Sequence, residues 1–372
     1  MRKARPSRGG ASKGKEGLLF VNKKKQKNFI DAGPWALSGQ RPWPSGPKVF
    51  APLFSKSGLF LSLTLKNRKR TVKQGEIRIG ISGWRYAPWR ETFYPKGLRQ
   101  KDELAFAAGK FRTLEINGTF YGTQRPESFD TWRNTVPEDF VFAVKAPRFI
   151  THIRRLRDVE VPLANFLASG VLRLGVKLGP ILWQFPPNMA FDAALFQPFL
   201  ELLPHHTRDA AEIAKHHDAR LKHPDQEKIT QHHVLRHAVE IRHESFRVAA
   251  FIELLRRTNV ALVCADTVKW PRMMDLTSDF IYCRLHGSKQ LYASGYDDEA
   301  LAEWCQRAKA WATGKEPQNA ALVPDAPRGK PSARDVFIYF DNDMKVRAPV
   351  DAARLEEFVG GGPSKVKKDA AF

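Results

Sequence analysis

The chain has 372 residues, of which 42% are hydrophobic and 11% aromatic, and a formal charge of +22. Its three cysteines have neither metal-ligand spacing nor the density of a disulfide framework, and no run reaches the ~18–20 apolar residues of a membrane span. The charge is unevenly placed: residues 1–75 hold 18 Lys/Arg against two acids, a net +16 that leaves +6 for everything else.

Residues 1–75 mix lysine clusters such as Lys23-Lys24-Lys25 with Pro, Gly and Ser and show no sustained periodicity, which predicts a disordered basic extension. Contact with nucleic acid is expected only through this extension and only as non-specific phosphate neutralisation. An upstream start codon, with folding beginning near Glu76, accounts for the same residues equally well. Unpaired cysteines point to a reducing, cytoplasmic compartment, and no membrane partner is expected.

From Ile77 onward, short apolar runs alternate with amphipathic stretches. Strands are predicted at 77–81, 113–117, 140–145, 181–184, 238–242, 261–266, 280–286 and 336–341. Helices are predicted over 97–110, from Pro126, and over 209–221, 246–257 and 297–312. The interval between Asp266 and Phe280 is too short for a full helix and is read as a loop. This alternation predicts a (β/α)8 TIM-type barrel over residues 76–360, close to the ~250 residues typical of that fold. Residues 361–372 are read as a basic tail behind a Gly360-Gly361-Gly362 linker.

Each run ends in polar or charged residues. Side chains on a strand alternate between faces, so Glu115 with Asn117, Glu240 with Arg242, and Arg284 with His286 share a face. Leu114, Ile116, Val239, Ile241, Cys283 and Leu285 are left to meet the helices. A ring of charges at strand ends is expensive to bury unless it lines a pocket at the C-terminal rim, where barrel enzymes bind and react. The predicted ring is Glu115, Lys145, Glu240, Arg242, Asp266, Arg284, His286 and Asp341, with Asn117 and Gln184 as neutral members. Trp84 and Tyr121, just past strand ends, are expected to form an apolar wall. Glu240 is the base candidate, His286 the acid candidate and Asp266 a further catalytic candidate. Lys145, Arg242 and Arg284 are expected to clamp an anion. The bland alternative is an ion-pair network that closes the barrel mouth. Glu, Asp and His can ligate a divalent metal, but three cations share the ring and no His-x-x-x-His spacing appears. No metal and no organic cofactor are therefore expected. The histidines between 205 and 237 are read as a solvated insertion.

Several segments resemble the YecE-like family, also called domain of unknown function 72. They include Gly80-Ile81-Ser82-Gly83-Trp84, Glu115-Ile116-Asn117-Gly118-Thr119-Phe120-Tyr121, Leu182-Trp183-Gln184-Phe185-Pro186-Pro187, Arg284-Leu285-His286-Gly287 and Tyr339-Phe340-Asp341-Asn342-Asp343. The resemblance covers about residues 77–358, departs from the family at Ile81 and Gly118, and implies a TIM-type barrel without an established reaction. The residues themselves point to an enzyme using acid–base chemistry on a small anionic or polar ligand, of hydrolase, lyase or isomerase type. A non-catalytic binding or sensor barrel, and a nucleic-acid-associated protein acting through the arm, are the alternatives.

Overall fold

Eight parallel strands close into a barrel in chain order: β1 (Ile77–Ser82), β2 (Thr113–Ile116), β3 (Val141–Lys145), β4 (Leu178–Gln184), β5 (His237–Glu240), β6 (Ala261–Asp266), β7 (Phe280–Leu285) and β8 (Asp335–Phe340), with β8 paired back to β1. The computed structural model describes residues 74–227, 231–287, 291–292 and 294–360. The expected disorder and nucleic-acid contact of the basic arm concern residues 1–75, of which 1–73 lie outside the described residues. The basic tail at 361–372 lies outside them as well.

Helices α1 (Glu103–Ala108), α2 (Gly118–Tyr121), α3 (Pro126–Thr135), α4 (Glu160–Leu167), α5 (Ala193–Leu202), α6 (Thr207–Ala214), α7 (Ala249–Arg257), α8 (Asp298–Ala312) and α9 (Arg347–Val359) fill the connections. Local chemistry sets their starts. Pro126 opens α3 with a preset φ, and the Asp297 carboxylate accepts the Ala300 N–H at 3.0 Å to cap α8. The helix expected over 209–221 stops at Ala214. Beyond it Asp218 is held from α4 and by its own turn: its N–H donates to Asn165 Oδ1 at 2.9 Å and its carboxylate takes Arg220. The β6–β7 connection contains no helix, as its length requires.

Strand alternation divides the core in two. Ile79, Ile81, Leu114, Ile116, Val239, Cys283, Leu285 and Ile338 face outward into one cluster with the helices. Ala143, Leu182, Ala238, Val263, Phe280, Tyr282, Phe337 and Tyr339 fill the barrel interior as a second cluster. Burying each large side chain contributes about 1.5–3 kcal/mol. The interior rings stack in layers, with Phe280 against Phe337 at 6.0 Å and Tyr282 against Tyr339 at 5.0 Å. Tyr339 reaches across to Thr113, the two hydroxyls 2.7 Å apart. Gly80 lets β1 approach β2 closely, because a Cβ there would lie 2.0 Å from the Thr113 carbonyl oxygen. This aromatic floor carries the polar rim above it.

Not all the histidines between 205 and 237 are solvated. His237 is fully buried, accepting from Trp183 Nε1 at 3.1 Å and lying 2.7 Å from the Pro204 carbonyl, so it is a satisfied core residue. Burial lowers its pKa to about 4 and keeps it neutral.

Candidate active site at the strand C-terminal rim

The inward parity of β2, β5 and β7 brings Glu115, Glu240 and Arg284 together above the floor, all three fully buried. Arg284 is the hub. Its Nε donates to Glu115 Oε2 at 3.1 Å, its Nη1 to Glu240 Oε2 at 2.6 Å, and its Nη2 to Glu115 Oε1 and Ser82 Oγ, each at 2.9 Å. Asp341 Oδ2 lies 3.1 Å from the same Nη2. Ser82 also donates to Glu115, and Tyr282 donates to Glu115 Oε2 at 2.7 Å, which ties the ring to the floor. Arg242 grips Glu240 Oε1 from the other side through Nε at 2.7 Å and Nη2 at 2.6 Å, and lies over the Trp270 ring at 4.1 Å.

Burial raises the pKa of Glu240, but Arg242 and Arg284 outweigh it and hold the carboxyl well below its ordinary range. Asp341 behaves alike: burial opposes ionisation, and Arg284 and His286 overcome it. Both carboxylates therefore stay charged, which removes Glu240 as an effective proton acceptor. Arg284 has no exposed surface and is committed to three carboxylates. Its expected place in an anion clamp is corrected accordingly: it assembles the ring, and its guanidinium is taken up by these carboxylates and Ser82.

Lys145, the last residue of β3, is the exception among the cations. Its Nζ sits 4.3 Å from the Phe120 ring centroid, and no carboxylate among the described residues lies within ion-pair distance. Burial and then the charge of Arg284 bring its pKa down to about 8. Gln184 donates to the Phe185 carbonyl at 2.9 Å and lies 3.3 Å from His152 Nε2. Asn117 donates to Ser82 Oγ at 3.3 Å, while its Oδ1 is buried without a hydrogen bond. His286 Nδ1 lies 3.0 Å from Asp341 Oδ2, yet neither buried ring nitrogen makes a hydrogen bond of acceptable geometry. Edge contacts to Trp270 and Tyr292 fix its ring.

Three expected members lie elsewhere. Asp266 shares the outward parity of Leu262 and Cys264, so its carboxylate turns to the helix layer and takes Arg272 at 3.1 Å and Trp304 of α8 at 3.3 Å. Trp84 is buried edge-on against Trp132 of α3 at 5.7 Å, inside the outer core and not on a pocket wall. Tyr121 is 58% exposed and meets Phe120 edge-on. His243, outside the ring, has its Nδ1 accept the Ser245 N–H in a local turn.

Ser82, Tyr282, His152, Trp270 and Tyr292 belong to the rim and were missed as site residues. Ser82 and Tyr282 share the parity of Gly80 and Arg284, so strand alternation could have found them. His152 sits in a π-helical turn (Phe149–Ile153) after β3, and no periodicity marks it. Half-buried and beside Lys145 and Arg148, its pKa falls to about 4, burial being the larger cause. Among the described residues no group of three His, Cys, Asp or Glu is arranged to hold a metal ion, and no helix is long and apolar enough to cross a membrane.

Known proteins agree with this architecture. The chain is 28% identical over 122 residues to the UPF0759 protein YunF of Bacillus subtilis, covering 30% of this chain and 40% of YunF. It is 29% identical over 110 residues to the UPF0759 protein YecE of Escherichia coli, covering 30% of this chain and 38% of YecE. The matched segment thus spans about two fifths of these curated relatives. A DUF72 family protein from Thermotoga maritima superposes with a TM-score of 0.55 at 21% identity, covering 77% of this chain and 99% of that one. One from Enterococcus faecalis gives 0.55 at 17% identity, covering 78% and 100%; both likenesses concern the fold. The sequence model described as "Protein of unknown function DUF72" matches residues 78–371, and the chain belongs to that family.

Proposed function

We propose that the rim is the active site of a cytoplasmic enzyme that performs acid–base chemistry on a small anionic or polar substrate. Support comes from buried polar atoms whose hydrogen-bonding capacity the rim leaves unused. Asn117 Oδ1 and both His286 ring nitrogens are buried without a hydrogen bond of good geometry, and Lys145 Nζ on the same rim lies over Phe120 with no direct ion pair among the described residues, while the neighbouring carboxylates are engaged with Arg284 and Arg242. A buried polar group without a hydrogen bond costs about 1–3 kcal/mol, which a bound ligand would relieve. Lys145, close to half-neutral at mildly alkaline pH, replaces Glu240 as the proton acceptor. His286 keeps the donor role and Arg242 faces the ligand's anionic group. A binding barrel without turnover is the second reading, favoured by the permanent charge of Glu240 and Asp341.

Thermal shift with pyruvate, succinate, dihydroxyacetone phosphate and inorganic phosphate tests the site. A ligand at about a hundred times its Kd should stabilise the protein by about 2.7 kcal/mol. At least one compound should raise Tm in the wild type and fail to do so in Lys145→Met. Shifts that persist unchanged in the variant would place binding elsewhere. Turnover of a binding compound, followed by product analysis, separates the enzyme from the sensor.

A further inference from the structure

We propose that Lys145 is a covalent nucleophile, whose Nζ condenses with the carbonyl carbon of a small substrate that also carries a carboxylate or a phosphate. The inference rests on the rim being the ligand site and names the substrate class for it.

Position is the first argument. Lys145 ends β3, and its backbone is pinned on two sides: its carbonyl accepts Thr119 Oγ1 at 2.7 Å, and the next N–H, of Ala146, donates to the Leu182 carbonyl at 2.9 Å. The amine therefore has a rigid base, and the Phe120 face excludes water from one side of it without hydrogen-bonding it.

Surroundings are the second. A lysine that merely balances the carboxylates would touch one of them. Instead Glu115, Glu240 and Asp341 all converge on Arg284, with Arg242 as a further partner of Glu240. Lys145 makes no direct ion pair among the described residues; burial and the charge of Arg284 oppose its charged form more strongly than Glu115, Asp341 and Glu240 favour it from a distance. A half-buried neutral imidazole, His152, lies edge-on to the same Phe120 at 5.1 Å. Desolvation and neighbouring positive charge are what turn an ammonium into a nucleophilic amine. At pH 7 such a group holds roughly three hundredfold more neutral amine than an ordinary lysine.

Other rim groups supply the rest of the step. The amine lone pair forms the C–N bond as the carbonyl π pair moves onto oxygen, and a proton passes from nitrogen to that oxygen. The hydroxyl then takes a second proton, from His286, and leaves as water while nitrogen closes the C=N bond. No oxidant or reductant is consumed. The resulting iminium draws electrons from an adjacent C–H or C–C bond, which is where acid–base chemistry acts. Arg242, held over the Trp270 ring with 13% of its side chain exposed, is placed for the anionic group.

Reductive trapping tests this. Full-length protein is incubated with pyruvate or dihydroxyacetone phosphate, reduced with borohydride and mapped by peptide mass spectrometry. One probe should leave a reduced adduct on Lys145 at an occupancy at least about tenfold above that of the exposed Lys96 and Lys101. The identity of that probe tells a carboxylate-bearing substrate from a phosphate-bearing one. Lys145→Arg should lose the adduct while keeping the wild-type Tm. A probe that raises Tm without labelling Lys145 above the exposed lysines overturns the covalent step and leaves the ligand site standing. Neither Tm shift nor adduct with either probe overturns the covalent step, and the ligand site falls with it when succinate and inorganic phosphate also leave Tm unchanged.

Discussion

Replacing Arg284 by methionine keeps much of its length and removes the single cation on which two buried carboxylates, Glu115 and Glu240, and the partly buried Asp341 converge. Removing one partner of a buried ion pair typically costs about 3–5 kcal/mol, because the other charge is left uncompensated. Here Glu115 keeps Ser82 and Tyr282, Glu240 keeps Arg242, and Asp341 keeps only its contact with His286. The loss at pH 7 should therefore fall within that range, a drop in Tm of about 10 °C for a domain of this size. The pH dependence is more diagnostic. In the wild type the folded pKa values of Glu240 and Asp341 are depressed, so their contribution is complete above the unfolded values near about 4 and is lost as pH falls through the folded ones. Without Arg284 these carboxyls bind protons more readily in the folded state. The deficit should be largest at pH 7–8 and narrow toward pH 5. Differential scanning fluorimetry across that range measures it, and Glu115→Gln added to Arg284→Met should recover part of the loss. A deficit under about 2 °C, or one that widens on acidification, would refute the view of Arg284 as the hub.

Glu356 of α9 is buried with Oε1 unpaired, and burial raises its pKa to about 7. Its penalty is absent below the unfolded value near about 4.3 and complete above the folded one, so Glu356→Gln should stabilise by about 1–3 kcal/mol at pH 8 and by almost nothing at pH 4, read from paired denaturation curves. Gly80→Ala drives a methyl into the Thr113 carbonyl and should cost about 1–3 kcal/mol; an unchanged urea midpoint would show that the β1–β2 contact yields freely. Asp266→Asn should leave borohydride trapping at Lys145 at its wild-type level, since that carboxylate faces Arg272 and Trp304; a large loss would return Asp266 to the site.

Strand periodicity alone determined the barrel. A period of two in eight apolar runs, separated by helix-length intervals, admits few other solutions, and the residues expected to meet the helices (Leu114, Ile116, Val239, Cys283, Leu285) do so. The same alternation placed Glu115, Glu240, Arg284 and Asp341 on one inner rim. It failed at Asp266, where the polar end of the strand was given more weight than its shared parity with Leu262 and Cys264. It also could not say where Trp84 turns after the strand ends, because beyond Ser82 the backbone leaves the pleat. Which charge pairs with which was decided only by the closed barrel. Arg284 and Glu115 are far apart in sequence, and their meeting depends on register and on the aromatic layer beneath them. Three basic side chains looked equivalent as a list. Tertiary packing made one the buried hub, set one over Trp270 against Glu240, and left Lys145 against Phe120 without a direct ion pair among the described residues, because burial and partner geometry, not residue type, set the ionisation of each group.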